Sequence, residues 1–62
     1  MTVEEAIKTA IQYENSVRDL YREAVAKAEK PGGKSLFSLM ADEEERHVQF
    51  LERKLKEFRE SG

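Results

Sequence analysis

The sequence predicts an all-α chain folded as an antiparallel hairpin of two helices. Residues 3–29 contain no Gly or Pro, and their apolar residues recur at the three- and four-residue intervals of one helix face. Residues 33–59 show the same spacing, and the intervening break at 30–33 contains the only Pro and two of the three Gly residues. We therefore expect a helix over about 3–29, a turn over about 30–33 and a helix over about 33–59, with residues 1–62 forming a single half-domain.

The length and composition limit what this chain can be. At 62 residues it is at most one domain, and a chain of this size buries only ~60% of the surface that its unfolded form exposes. The absence of Cys excludes disulfides and thiolate metal sites. We therefore expect the chain to pair with a second copy, as a homodimer that forms a four-helix bundle.

Charge and hydropathy argue against nucleic-acid binding and against a membrane-spanning segment. The net charge of −2 gives no strong attraction to nucleic acid. No apolar run approaches the ~18–20 residues of a membrane span, and the acidic N-terminus lacks the apolar core of a signal peptide. We expect a soluble, cytoplasmic protein with neither a nucleic acid nor a membrane as its partner.

The first helix carries one carboxylate in the middle of its apolar stripe. Thr2 and Glu5 have the spacing of a capping box, which predicts the start of this helix. The stripe then consists of Val3, Ile7, Ala10, Val17, Tyr21, Ala24 and Ala28. The member missing from this spacing is position 14, which is Glu14. Taken alone, Glu14 is either a candidate ligand or a boundary residue that reaches solvent.

The second helix carries a Glu-x-x-His pair, Glu44 and His47, on its own apolar stripe. Residues three apart share a helix face, so both side chains can reach one metal ion. Within about 60° of Glu44 on a helical wheel lie Phe37, Met40, His47, Val48, Leu51, Leu55 and Phe58. Burying a carboxylate and an imidazole there is costly unless something pairs with them. We expect the neighbouring Glu43, Glu45 and Arg46 to be solvated or in weak surface ion pairs.

The three polar stripe residues fall at one level of the predicted hairpin. If the turn is centred near residue 30, Glu14 lies opposite residue 46, midway between Glu44 and His47. One hairpin then offers two carboxylates and one imidazole, and two hairpins offer four carboxylates and two imidazoles. Helix bundles use that donor set to bind two iron or manganese ions, and zinc also suits these ligand types. The sequence thus predicts two metal ions per dimer, near its two-fold axis.

Both helices also resemble those of a known family, the rubrerythrin-type ferritin-like domains. The first-helix resemblance rests on EEAIK at 4–8, YE at 13–14 and YREA at 21–24. The second rests on LF at 36–37 and LMADEEERH at 39–47. The resemblance covers nearly the whole chain and implies a ferritin-like four-helix bundle, here built from two chains because the third and fourth helices are absent.

The resemblance implies roles for four residues. Glu14, Glu44 and His47 match the family's iron ligands, and Tyr21 matches its aromatic seven residues after the first Glu. Tyr21 is either a core aromatic or a donor that orients a ligand carboxylate. The implied activity is ferroxidase or peroxidase-like oxidoreductase chemistry, with oxygen or peroxide as oxidant. As a two-helix chain that would complete a di-iron site by pairing, this protein is similar to the encapsulated ferritins. That similarity implies iron storage, ring assembly and a shell protein as partner in a nanocompartment.

Two other functions remain open at this point. A non-catalytic, iron-carrying helical dimer would use the same three ligands, and a plain helical interaction module would use none of them. The apolar stripe is also wider than a simple bundle needs. It is extended on one side by large residues: Tyr13, Leu20, Leu36, Leu39 and Phe50. They predict either a broad bundle or a second interface between copies.

Overall fold

The computed structural model describes residues 1–61 as two antiparallel helices. Helix α1 runs over Val3–Lys27 and helix α2 over Pro31–Ser61, with no strand in that range. The predicted all-α hairpin is confirmed. The turn, however, spans 28–30 rather than 30–33, because Pro31 begins α2. Proline suits the first helical position, where its missing N–H has no intrahelical role.

The ends of α1 are closed by short polar contacts. The Thr2 hydroxyl accepts a hydrogen bond from the Glu5 amide at 3.1 Å, which is the first half of the expected capping box. At the other end the Ala28 amide donates to the Ala24 carbonyl at 2.9 Å. The Lys34 ammonium reaches back from α2 and donates to the Val25 carbonyl at 3.0 Å. These contacts satisfy backbone groups that a helix end leaves without partners.

The hairpin is a single layer of helices. It measures 48 × 18 × 10 Å, and its radius of gyration of 14.4 Å exceeds the value of about 11 Å for a compact domain of this length. Ala41 and Val48 are the only buried hydrophobic residues in the described part of the chain. The hairpin by itself therefore covers little of its apolar surface.

The two helices pack through one flank of their apolar stripes and leave the other flank open. On α2, the buried Ala41 and Val48 lie about 40–60° to one side of Glu44 on a helical wheel. The exposed Leu36, Leu39 and Phe50 lie about 80–140° to its other side. On α1, the exposed Tyr13 and Leu20 lie about 100–120° from Glu14 in the same rotational sense. The open flank therefore carries large exposed apolar residues on both helices.

Two ion pairs cross the packed flank. Arg18 Nη1 lies 3.0 Å from Glu45 Oε2, and Arg59 Nε pairs with Glu4 Oε1 near the helix ends. The hydrogen bond from Arg59 lowers the pKa of Glu4 below its ordinary value.

Within residues 1–61, neither helix is long and apolar enough to cross a membrane.

The two glycines of the turn region lie in the first turn of α2, and neither has a positive φ. A Cβ added at Gly32 would meet nothing within 4 Å. We expect Gly32→Ala to raise the free energy of unfolding by about 0.4–1 kcal/mol, because alanine leaves the unfolded chain fewer conformations. Urea unfolding at one fixed protein concentration measures this.

A matched second variant is Gly33→Ala, whose new Cβ would make an ordinary contact of 3.5 Å with the Ala28 Cβ. The same direction is expected for both substitutions. A fall in stability for Gly32→Ala would show that this position needs the freedom of a glycine, contrary to the helical backbone seen here.

Candidate metal centre

Helix α1 places Glu14 in the middle of the hairpin. Glu14 takes the position of an apolar residue on the stripe, so its side chain faces helix α2 and is largely removed from solvent. Its side chain is 24% exposed. A carboxylate that is three-quarters covered has lost much of its hydration and needs hydrogen-bond donors or a cation in exchange.

Helix α2 places Glu44 and His47 one turn apart on the same stripe. The Glu44 side chain is 16% exposed, whereas the His47 side chain is 58% exposed. The difference follows from the packing, because His47 lies about 60° from Glu44 toward the open flank. The carboxylate is therefore inside the hairpin, and the imidazole lies at the edge of its uncovered face.

The three side chains converge. His47 Nδ1 lies 3.5 Å from Glu14 Oε2 and 3.5 Å from Glu44 Oε2. One donor atom from each residue falls within 4.8 Å of the other two. The expectation that Glu14 lies level with Glu44 and His47 agrees with this geometry. Their role as metal ligands, and the catalytic role of all three, stays a prediction.

The spacing suits one coordination sphere. Two ligands bound about 2.1 Å from one ion lie about 3–4.2 Å apart, and the two distances of 3.5 Å fall within that range. Two carboxylates and an imidazole are donors of the kind that iron, manganese and zinc accept. They would supply three ligands, so water or a second chain must complete the sphere.

The Glu44 carboxylate has an unmet requirement inside the hairpin. Its Oε2 atom is buried and has no hydrogen-bond partner among the described residues. Buried polar atoms in native proteins are nearly always paired, and one left alone calls for a specific explanation. The same atom is the one that faces His47. A cation held by Glu14, Glu44 and His47 would compensate the buried charge.

Tyr21 packs against the second helix. Its ring lies 6.3 Å from that of Phe37, with an angle of 24° between the ring planes. Among the described residues its hydroxyl makes no hydrogen bond to Glu14 or Glu44. The stacking gives Tyr21 the packing role of a core aromatic, and its proposed role as a donor that orients a ligand remains a prediction.

Arg18 lies beside the site but is not among the residues predicted from the sequence. The Arg18 side chain is only 16% exposed and holds the Glu45 carboxylate across the helix interface. Glu45 was expected to be solvated or in a weak surface pair, yet it is half-buried. One signal was available in the sequence: Arg18 lies one turn after Glu14, about 40° from it on the wheel, inside the stripe.

Comparison with known proteins identifies the family. A family model described as Rubrerythrin matches residues 5–62, a span that includes Glu14, Glu44 and His47. No curated protein and no solved structure gives a significant match. The similarity to encapsulated ferritins stays a prediction. Because the match covers both helices, the chain belongs to the rubrerythrin family, whose ferritin-like helical proteins usually bind iron.

Proposed function

We propose that this chain is half of a di-iron ferroxidase. Two hairpins pair through their open faces into a four-helix bundle and share a site for two iron ions. The observation that supports this proposal best is the convergence of Glu14, Glu44 and His47 from the apolar stripes of both helices. The buried, unpaired Oε2 atom of Glu44 adds a physical reason for a cation at that point.

The need for a second chain follows from the number of donors and from the shape of the hairpin. Three protein ligands cannot hold two ions, whereas a two-fold pair offers four carboxylates and two imidazoles. The single layer of helices also leaves its apolar flank open. A two-fold axis through that face brings identical surfaces together, as most homodimers do, and covers the exposed edge of His47.

The side chains have distinct tasks at such a site. Glu14, Glu44 and His47 would hold the iron, whose oxidation from ferrous to ferric by oxygen or peroxide would be the redox chemistry of the site. The carboxylates of Glu14 and Glu44 favour the ferric product, because their negative charge offsets the added positive charge. His47 Nδ1 turns toward both carboxylates and adds a neutral donor. Phe37, Met40 and Leu51 flank Glu44 on the stripe and would exclude water after pairing.

Metal binding is the first test of the site. We expect native mass spectrometry with elemental analysis to find two iron ions per dimer in protein loaded with ferrous iron without oxygen. His47→Ala and Glu44→Gln should each weaken binding by about a hundredfold or more, because losing a ligand exceeds the usual effect of losing a residue that orients one. Manganese and zinc should bind the same residues.

Glu43→Gln is the matched control for Glu44→Gln. It makes the same chemical change one residue earlier, at an exposed position outside the convergent group. Full iron content in this variant, with loss in Glu44→Gln, is the expected pattern. Full stoichiometric iron in His47→Ala would show that His47 is not a ligand, and no metal in the unaltered protein would leave a plain helical interaction module.

Oxidation of ferrous iron is the second test. With oxygen or peroxide added, the protein should speed the appearance of ferric absorbance over protein-free solution at the same pH, and Glu44→Gln should abolish the gain. Glu43→Gln should keep it. Equal rates with and without a protein that binds two ions would identify a non-catalytic iron carrier instead.

Assembly beyond the dimer is a further part of the proposal. Leu39 and Phe50 lie about 120–140° from Glu44, too far round to face a bundle seam that includes the site. Both are exposed, as is Leu20 on the other helix. Lys54 Nζ lies 5.4 Å from the Phe50 ring centroid, which gives that ring a local partner. These residues form the outer edge of the open flank, beyond the part next to His47 that pairing into the bundle would cover, and exposed large apolar residues there support a second interface with another copy.

We expect sedimentation equilibrium of the metal-loaded protein to show species larger than a dimer at high concentration. Phe50→Glu should dissolve them and keep the metal content of the dimer, because it places a charge on the second interface only. Gln49→Glu adds the same charge at a neighbouring position away from this flank and should leave the large species in place. A single dimer mass over about a hundredfold range of concentration would rule the second interface out.

A further inference from the structure

We propose that the ion pair between Arg18 and Glu45 sets the register of the two helices and thereby positions the carboxylates of Glu14 and Glu44. In this role Arg18 and Glu45 are positioning residues and bind no metal themselves. The inference rests on the proposed metal site, since it concerns the geometry of its ligands. The register itself belongs to the single hairpin and can be measured without metal.

The guanidinium of Arg18 is firmly held. Its Nη1 donates to Glu45 Oε2 at 3.0 Å, and its Nε and Nη2 donate to Asp19 Oδ1 at 3.2 and 3.1 Å. These carboxylates raise the pKa of Arg18, chiefly through the bond to Glu45. An arginine fixed by two carboxylates fixes the position of its partner better than a flexible lysine could.

Both members of the pair are linked directly to candidate ligands. Arg18 follows Glu14 by one helical turn on the same stripe, and Glu45 is joined to Glu44 by a peptide bond. A slip of one residue between the helices moves the two ligands apart by about 1.5 Å. Metal sites tolerate deviations of only about 0.2 Å in ligand distance. A contact that fixes the register therefore acts on the site.

The rest of the interface offers few features that would resist such a slip. Within residues 1–61 only Ala41 and Val48 are buried, and the stacking of Tyr21 on Phe37 lies two turns from Glu14. A second cross-helix pair, Glu4 with Arg59, has the same register: Arg18 follows Glu4 by fourteen residues, and Glu45 precedes Arg59 by fourteen. That pair is about 15 Å from Glu14 along α1 and more exposed than Arg18. The contact beside the site is Arg18 with Glu45.

Two single substitutions distinguish positioning from a mere effect of charge. Arg18→Leu removes a positive charge near the site, and Glu45→Gln removes a negative one. If only charge mattered, Arg18→Leu would strengthen the binding of a cation and Glu45→Gln would weaken it. If the pair positions the ligands, both should weaken Zn²⁺ binding, by about tenfold as for other residues that orient metal ligands. Titration calorimetry with Zn²⁺ gives these affinities without any redox step.

The double variant and a control complete the experiment. The double variant Arg18→Leu with Glu45→Gln should bind Zn²⁺ no more weakly than the weaker-binding of the two single variants. Each single change already breaks the ion pair, so the second change removes nothing further. As the control, Arg22→Leu removes a positive charge one turn further along α1. Within residues 1–61, Arg22 forms an ion pair with Asp19 at 3.9 Å and none with a residue of α2. Its Zn²⁺ affinity should match that of the unaltered protein.

The inference and the proposed function fail in different ways. Zn²⁺ affinity that rises in Arg18→Leu, or stays at the unaltered value, would overturn the positioning role and leave the site in place. If the unaltered protein binds no metal, the proposed function fails. The register of the helices can still be measured from nuclear Overhauser contacts between the His47 ring and the Glu14 side chain. These contacts should disappear in Arg18→Leu and persist in Arg22→Leu. Their persistence in both variants would overturn the inference.

Discussion

The buried Oε2 atom of the half-buried Glu44 is the constraint on which the rest of this structure depends. This atom is shielded from water without a hydrogen-bond donor, and the Glu14 carboxylate converges on the same point from the facing helix. Two acidic groups at the middle of the sole helix contact are a cost that an apolar pair would avoid. At the proposed metal site, a cation held by Glu14, Glu44 and His47 would offset this cost.

The division of each helix into two flanks follows from that arrangement. One flank carries the small buried residues Ala41 and Val48 together with the ion pair of Arg18 and Glu45, and this flank joins the two helices. The other flank carries large apolar side chains that are exposed. Small residues allow the helices to approach closely, so the acidic groups meet, and the large side chains remain for a different surface.

The sequence predicted the parts that depend on periodicity. Glu14 was recognisable because it interrupts an otherwise regular stripe, and its level relative to Glu44 and His47 needed only the position of the turn. The turn itself was placed two residues late, since two glycines beside a proline resemble a loop, although all three fit the first turn of a helix. The contact between Arg18 and Glu45 could not be predicted in this way. A long arginine can reach several carboxylates, and its choice depends on how the helices rotate about their axes, which only packing decides.

The exposure of His47 would affect how a metal ion reaches the proposed site. In a closed four-helix bundle, an ion would have to cross folded protein to reach ligands on the bundle axis. In this hairpin the imidazole lies at the edge of an open face, so an ion from solution would meet three donors without passing through protein. Capture and enclosure would then be separate events in time: the first would need one chain, and the second would wait for whatever covers that face.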